Sequence, residues 1–440
     1  MNEYTRSLYV YILIAFLGLA MILMKKSETL RFGSSVEITE NEIMDHIRYL
    51  SHEDRAGRFP GTRESKDVIS YLIRHFKSYG VKPGGENGSY VQPFNITDGI
   101  ELGANNSMTM GDSSLTIHND YIPLWFSGND SVSASAVFAG YGFTIDEKEL
   151  KWNDYADLDV SGKWVIMMRH SPERNNQHSL YTSHSGLHKK MLVARDNGAV
   201  GVIFVSQVED TDLYPLRYIS GYKNAGIPAI HLSNEMADHL FKTVGWSRET
   251  IQETMNRSLE PITFNLTAVT INASVELIPI QMRAANVVGL IQSGHRKYRN
   301  EYVVIGAHFD HVGMGGPGTG SRKPDTLGIH PGADDNASGT AGLLEIAQKL
   351  SSQKSRLKRS VLFIGFDAEE KGLLGAKYFA DHPTVDLENI VAMLNMDMVG
   401  RMEDSSATAG GVGTSPVFKP LLDSLSRNRG FNLNMTLPGF

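Results

Sequence analysis

Six residues in the second half of the chain bring imidazole and carboxylate groups together at short spacing: His308, Asp310, Asp334, Glu369, Glu370 and Asp397. Zinc accepts both donor types, and a catalytic zinc site leaves one position open for water. The chain has no cysteine, so any metal must be held by His, Asp and Glu. The same absence removes disulfides and thiol catalysis. Two zinc ions about 3.5–4 Å apart need one bridging carboxylate and further ligands on each side. A separate carboxylate must take a proton from the activated water. Adjacent Glu369 and Glu370 point in different directions, so one can bind metal while its neighbour stays free as base. Asp310, two residues after His308, is placed to accept the other imidazole N–H.

Taken singly, each residue has a plainer reading. A His-x-Asp pair often sits at a surface or a cap. Asp334-Asp335-Asn336 can cap a helix starting near Ala337. Glu369-Glu370 can be a solvated helix start favoured by the helix dipole. What distinguishes the set is the elements that must carry it. EYVVIGA (301–307) is a continuous apolar strand running into His308. A helix over 340–350 follows GADDNASG (332–339). SVLFIGF (360–366) runs into Asp367-Ala368-Glu369-Glu370, and a strand over 390–396 runs into Asp397. Apolar strands alternating with helices predict an α/β fold with a mostly parallel mixed sheet flanked by helices. In such sheets the binding crevice lies at the carboxyl ends of the strands. Three strands ending in His or acid have no purely structural explanation.

Upstream, helical spacing covers 42–50 and 65–79, joined by the turn-rich connector SHEDRAGRFPGT (51–62). From about 105 to 266 the texture changes to short β-like runs, at 134–139, 163–168, 200–205 and 229–232, with a helix over 188–197. Strand-like runs at 275–280 and 286–291 then lead into the α/β rhythm.

The segments AHFDHVG (307–313), PGADDNASG (331–339), FDAEE (366–370) and NMDM (395–398) resemble, in order and context, the four motifs of the co-catalytic dizinc exopeptidases. That family includes bacterial leucyl aminopeptidase and glutamate carboxypeptidase. GRFPGT (57–62) resembles its N-terminal region. The resemblance implies that His308 and Asp397 bind one zinc, Asp334 bridges, Glu370 binds the second zinc, Glu369 is the general base and acid, and Asp310 orients His308. It also implies a cis peptide at Asp334–Asp335. VFAGYGF (137–143), DYADLDVSGKWVIMMR (154–169), ARDNGAVGVIFV (194–205) and IPAIHLS (227–233) resemble a protease-associated (PA) domain, a small β-rich module inserted into the peptidase core. The implied order is 1–34 signal-anchor or signal peptide, 35–104 peptidase, 105–266 PA domain and 267–440 peptidase, C-terminal part.

The implied activity is removal of N-terminal residues from peptides. A carboxypeptidase or dipeptidase of the glutamate carboxypeptidase type is the rival with the same site. A non-catalytic receptor on the same fold is the rival of another class, and such proteins typically lose ligands that this chain keeps. The family's last zinc ligand is a His in a Ser-Asp-His segment beyond the Asp397-type motif, and here no His follows His382. The expectation is a family domain lacking its C-terminal part, holding one of two zinc ions well and the second poorly, with little activity. His311 and His330 are the alternatives for the missing ligand.

The chain has 440 residues, enough for more than one domain, and a net charge of −7. That charge speaks against nucleic acid as partner. Residues 8–24 form an apolar run between Arg6 and Lys25-Lys26. They read as a signal-anchor or a cleaved signal peptide, placing the catalytic part at the membrane or exported. The Gly-rich stretch 313–320 lacks the lysine and context of a phosphate loop and reads as a loop beside the metal site.

Overall fold

The computed structural model describes residues 37–219, 224, 226–316, 319–402 and 404–436. The apolar run at 8–24 lies outside them. Among the described residues no helix is long and apolar enough to cross a membrane. The chain divides into two compact units, one made of the residues up to Phe94 and from Arg283 onward, the other of Asn95–Met282. The second unit is wider than the 105–266 marked by texture. The difference lies in two long strands, Val91–Leu102 and Leu277–Ile291, along which the chain passes between the units. Residues 277–280 and 286–291 of the two strand-like runs belong to one strand, Leu277–Ile291, while Val275 ends the strand before it.

In the first unit the sheet comprises β1 (Lys82–Pro83), β2 (Val91–Leu102), β3 (Leu277–Ile291), β4 (Tyr302–His308), β5 (Ser360–Phe366) and β6 (Ile390–Asn395). Its order is β1–β3–β5–β4–β6, with β2 also paired to β3. β4 lies parallel to both β5 and β6, while β3 is antiparallel to β5 and β1 to β3. The sheet is therefore mixed, with a parallel half that carries the site.

Every residue of β5 is buried, because the strand is paired on both sides and covered on both faces. Val361 and Phe363 join Leu50, Val68, Leu72, Phe76, Leu343 and Leu344 in one apolar layer. Leu362, Ile364 and Phe366 join Val288, Val304 and Phe379 in the other. The period of two across a strand thus serves two cores at once. The first layer is closed by α1 (Glu40–Leu50), α2 (Arg63–Ser78) and α3 (Gly339–Ser352). α1 and α2 begin two residues earlier than their apolar spacing indicates. Thr39 and Thr62 cap them, accepting the N–H groups of Glu42 and Ser65, and a capped first turn needs no apolar residue. Gly365 permits the close approach of α2, since a Cβ there would lie 2.7 Å from Leu72 Cδ2. The second layer is closed by α4 (Leu374–Asp381) through Phe379.

The second unit has an eight-stranded sheet. Its order is Ser113–Leu115, Ser107–Met110, Thr263–Val275, Asp130–Ala139, Trp164–Met168, Gly201–Val205, Ala229–Leu232 and Tyr121–Pro123. The middle strands from Asp130–Ala139 to Ala229–Leu232 are parallel. Helix Leu187–Asp196 supplies Met191 and Ala194 to one core, while Phe241 and Met255 belong to the core of the other face.

Candidate metal centre

Parallel strands deliver the chemistry to their carboxyl ends. His308 is the last residue of β4 and is 2 % exposed. Its carbonyl accepts the hydroxyl of Thr340 at 2.8 Å, which ties the strand end to α3. Nδ1 lies 3.2 Å from the main-chain oxygen of Asp310, fixing the ring so that Nε2 faces the crevice. Nε2 is buried and makes no hydrogen bond. It lies 3.3 Å from Asp335 Oδ1, 3.4 Å from Asp397 Oδ1 and 3.8 Å from Glu369 Oε2.

Asp397 follows β6, and Asp335 sits in the short turn Ala333–Ser338 ahead of α3. One donor atom each from His308, Asp335 and Asp397 lies within 4.8 Å of the others. A second group, formed by His311, Asp335 and Glu370, meets the same limit. In it His311 Nδ1 stands 2.6 Å from Glu370 Oε1. Asp335 is common to both groups, the position a bridging carboxylate needs. Nε2 makes no hydrogen bond although three carboxylate oxygens lie within 3.8 Å, and a cation among these donors would satisfy them together. One imidazole with carboxylates is a donor set that zinc accepts, so the residues present fit it.

The electrostatics agree. Burial opposes a charge on His308, yet Asp310, Asp335 and Asp397 outweigh it and hold the imidazolium up to about 12. Asp335 is held below the ordinary carboxylate range, chiefly by His308. Burial raises Glu369, and the neighbouring acids add to that. Without a cation, the proton on His308 is what the acids share.

Two expectations need correcting. Asp334 was expected as the bridging carboxylate, but Asp335 occupies that place. Asp334 turns away, accepting Gly400 N–H at 2.8 Å and Arg401 Nε at 2.9 Å. Asp335 has a non-helical backbone (φ −99°, ψ 99°), so the two adjacent carboxylates diverge. The cis peptide likewise falls one residue later, at Asp335–Asn336 rather than Asp334–Asp335. Asp310, expected to orient His308, has Oδ1 3.5 Å from Nδ1 and its carbonyl oxygen nearer, at 3.2 Å. The carboxylate, fully buried, accepts the main-chain N–H groups of Glu369 at 3.0 Å and Glu370 at 3.2 Å.

His308, Glu369, Glu370 and Asp397 lie around one crevice. Of the two spare imidazoles, His311 joins the carboxylates, while His330 Nε2 faces Ser321 Oγ at 3.3 Å. Two residues carried no warning in the sequence. Asp367 is fully buried beside Asp310 and accepts the N–H groups of Ala285 and Ala368; burial first, then Asp310, raise its pKa. Arg58 is also fully buried, in the 51–62 connector.

An α/β unit whose parallel strands bring an imidazole and several carboxylates to one crevice has the donors of a metal site. Residues 286–437 match the family model described as Peptidase family M28, and residues 131–240 match the one described as PA domain. The C-terminal part of the chain thus matches the M28 peptidase model, and a stretch upstream of it matches the PA domain model. A probable zinc metalloprotease of Pyrenophora tritici-repentis is 36% identical over 109 residues, 25% of this chain and 23% of that protein. Aminopeptidase YwaD of Bacillus subtilis is 43% identical over 77 residues, 17% of this chain and 16% of that protein. Leucine aminopeptidase 1 of Paracoccidioides brasiliensis is 30% identical over 159 residues, 35% of this chain and 36% of that protein. The aligned stretches therefore span no more than 23% of the first relatives. Among solved structures, BSAP, a zinc aminopeptidase from Bacillus subtilis, superposes with a TM-score of 0.48 at 21% identity, covering 92% of this chain and 81% of that one.

Proposed function

We propose that the chain is a zinc-dependent aminopeptidase, with His308, Asp335 and Asp397 at one metal position and Asp335 and Glu370 at a second beside His311. The observation that carries this reading is the convergence of the buried Nε2 of His308, which makes no hydrogen bond, with the carboxylates of Asp335 and Asp397. Bound zinc supplies Lewis-acid polarisation of a carbonyl and a water of lowered pKa. Glu369 is the residue placed to move protons. Its main chain is held by Asp310 and its side chain is free to reach the crevice. Its carboxylate takes a proton from the attacking water and returns it to the leaving amine.

A cavity of about 560 Å³ opens beside these residues, lined by His308, Phe366, Glu369, Leu373, Ala376, Met393, Asn395 and Asp397. Its charged lining is acidic apart from His308, and the rest is mainly apolar. Recognition of a carboxylate terminus calls for a fixed guanidinium or ammonium, and this lining holds neither. The apolar wall suits a large aliphatic side chain. This favours an aminopeptidase over the carboxypeptidase rival, and the assembled donor set favours an enzyme over a silent receptor. The apolar run at 8–24 supports an exported or membrane-anchored catalytic unit. The test is an aminoacyl-anilide panel run with zinc, with chelator and with chelator then zinc, beside peptides blocked at either end. Chelator-sensitive turnover that requires a free amino terminus is expected. Turnover that requires a free carboxylate instead would replace this reading with the rival.

A further inference from the structure

The connector at 51–62 lies outside both matched regions, yet it touches three of the segments that carry the metal-centre residues. Its backbone passes through left-handed conformations at Ala56, Gly57 and Arg58 (φ 40°, 70° and 50°). At Gly57 a Cβ would lie 2.4 Å from Gly313 O, so only glycine lets the two backbones meet. There Gly313 N–H donates to Gly57 O at 3.1 Å and His311 N–H to Arg58 O at 3.3 Å.

This turn aims the Arg58 side chain into the unit, where it is fully buried. Nε donates to Phe309 O at 2.7 Å; Nη1 donates to Leu50 O at 2.8 Å and Pro331 O at 2.6 Å; Nη2 donates to Gly332 O at 3.0 Å. Phe309 lies between His308 and Asp310. Pro331 and Gly332 lead into the turn that holds Asp335. The next residue, Phe59, sets its ring 4.5 Å from Lys371 Nζ, directly after Glu370. Every hydrogen bond of the guanidinium goes to a main-chain carbonyl. An uncompensated buried cation is expensive, and the acids Asp310, Asp335 and Glu370 offset it through space.

We propose that Arg58 is a positioning residue of the metal centre, its fork locking the His308 strand end and the Asp335 turn at the separation that zinc requires. This rests on the metallopeptidase reading of the same site. Arg58 does not line the substrate cavity and touches no reacting atom. The planar fork is what the geometry uses. Lysine keeps the charge but is a point donor that cannot span four carbonyls in this arrangement.

The test uses the 440-residue chain with R58K, R58Q and F59L. Zinc affinity is measured by competition with a chromophoric chelator, melting with and without zinc, and kcat and KM at saturating zinc. For R58K, zinc affinity is expected to fall about 10–100-fold, as for loss of a group that orients metal ligands. At saturating zinc, kcat should fall while KM stays near the parent value, and R58Q should be worse. Parent-like zinc affinity and kcat in R58K, whatever its melting temperature, would reduce Arg58 to a fold support and overturn the proposal. If neither Arg58 variant folds, F59L decides: it loosens the same corner without removing the buried charge and should also weaken zinc binding. An unchanged affinity there overturns the proposal. If zinc binding weakens as expected but the parent chain cleaves no peptide, the role of Arg58 stands and the proposed function falls.

Discussion

Asp310 holds Glu369 by its main chain and leaves its side chain free. The fully buried carboxylate takes Glu369 N–H on Oδ1 at 3.0 Å and, on Oδ2, the next N–H at 3.2 Å. Two adjacent glutamates are thereby fixed at the backbone with their side chains pointing apart. Glu370 turns to His311, while Glu369 stands 3.8 Å from His308 Nε2 with no hydrogen bond of its own to that ring. A pair that looks symmetrical in sequence is divided into a carboxylate held by His311 and a carboxylate that faces His308 Nε2.

The first prediction tests that division. Glu369→Gln should retain zinc and lose activity by about 10²–10⁴-fold or more, because the proton acceptor is removed with its shape kept. Glu370→Gln should weaken zinc binding and leave His311 without its partner. Metal content after dialysis and kcat on an aminoacyl anilide separate the two. The reverse pattern would mean the glutamates have exchanged roles.

The second prediction concerns the adjacent aspartates. Asp335→Asn should cost zinc at both positions, since its donor belongs to both groups. Asp334→Asn should leave zinc content near the parent level, because its contacts are with Gly400 and Arg401. Its effect should be limited to loosening that segment, a change of about 1 kcal/mol for exposed ion-pair and N–H partners. A titration in which Asp334→Asn loses zinc and Asp335→Asn keeps it would restore the assignment that the sequence alone suggested.

That misassignment shows what was legible and what was not. The strands over 301–308, 360–366 and 390–395 could be read because continuous apolar runs ending in His or acid have few other uses. His308, Glu369, Glu370 and Asp397 followed from them. Asp334 and Asp335 could not be told apart, since one residue of register in a turn carries no hydrophobic period. Asp310 was read as a partner of His308, while its carboxylate's hold on the main chain of Glu369 and Glu370 depends on backbone geometry that carries no sequence signal. Arg58 was invisible for a related reason. It lies 250 residues before His308, and a basic residue in a polar connector ordinarily signals solvent. The unit boundaries differ from the texture change because they fall partway along two continuous strands, Val91–Leu102 and Leu277–Ile291.

The third prediction concerns His311. If it acts as a ligand of the second position, His311→Ala should lower zinc stoichiometry and leave the His308 position filled. If its part is only to hold Glu370 at 2.6 Å, the variant should keep its stoichiometry and lose affinity modestly. Equilibrium dialysis against buffered zinc resolves the two. A His311→Ala chain with parent stoichiometry and parent affinity would leave the residue with no part in the centre.

The fourth prediction is a pH dependence of stability remote from the metal. His75 lies on α2, 2 % exposed, with Nδ1 2.9 Å from Tyr79 Oη and its ring 4.7 Å from that of His46. Burial, then His46 and Arg74, lower its pKa from 6.5 to about 3. The sign follows from proton counting. Between pH 6.5 and about 3 the unfolded chain binds a proton at this residue that the native state refuses. The stability this group contributes is therefore fully present above 6.5 and drains away as pH falls toward 3. One proton corresponds to a slope of about 1.4 kcal/mol per pH unit, an upper bound for a single site. His75→Phe removes the titration and keeps an aromatic ring in the pocket. The native–unfolded difference, read from hydrogen exchange of α2 amides in the zinc-free chain, should fall less steeply from pH 6 to pH 4 in the variant than in the parent. His46, paired with Glu345 at 3.0 Å, is coupled to His75, so the change in slope reports the two imidazoles together. Equal slopes in parent and variant would show that His75 takes up its proton in the folded state, and that its burial does not set the acid limit of this helix.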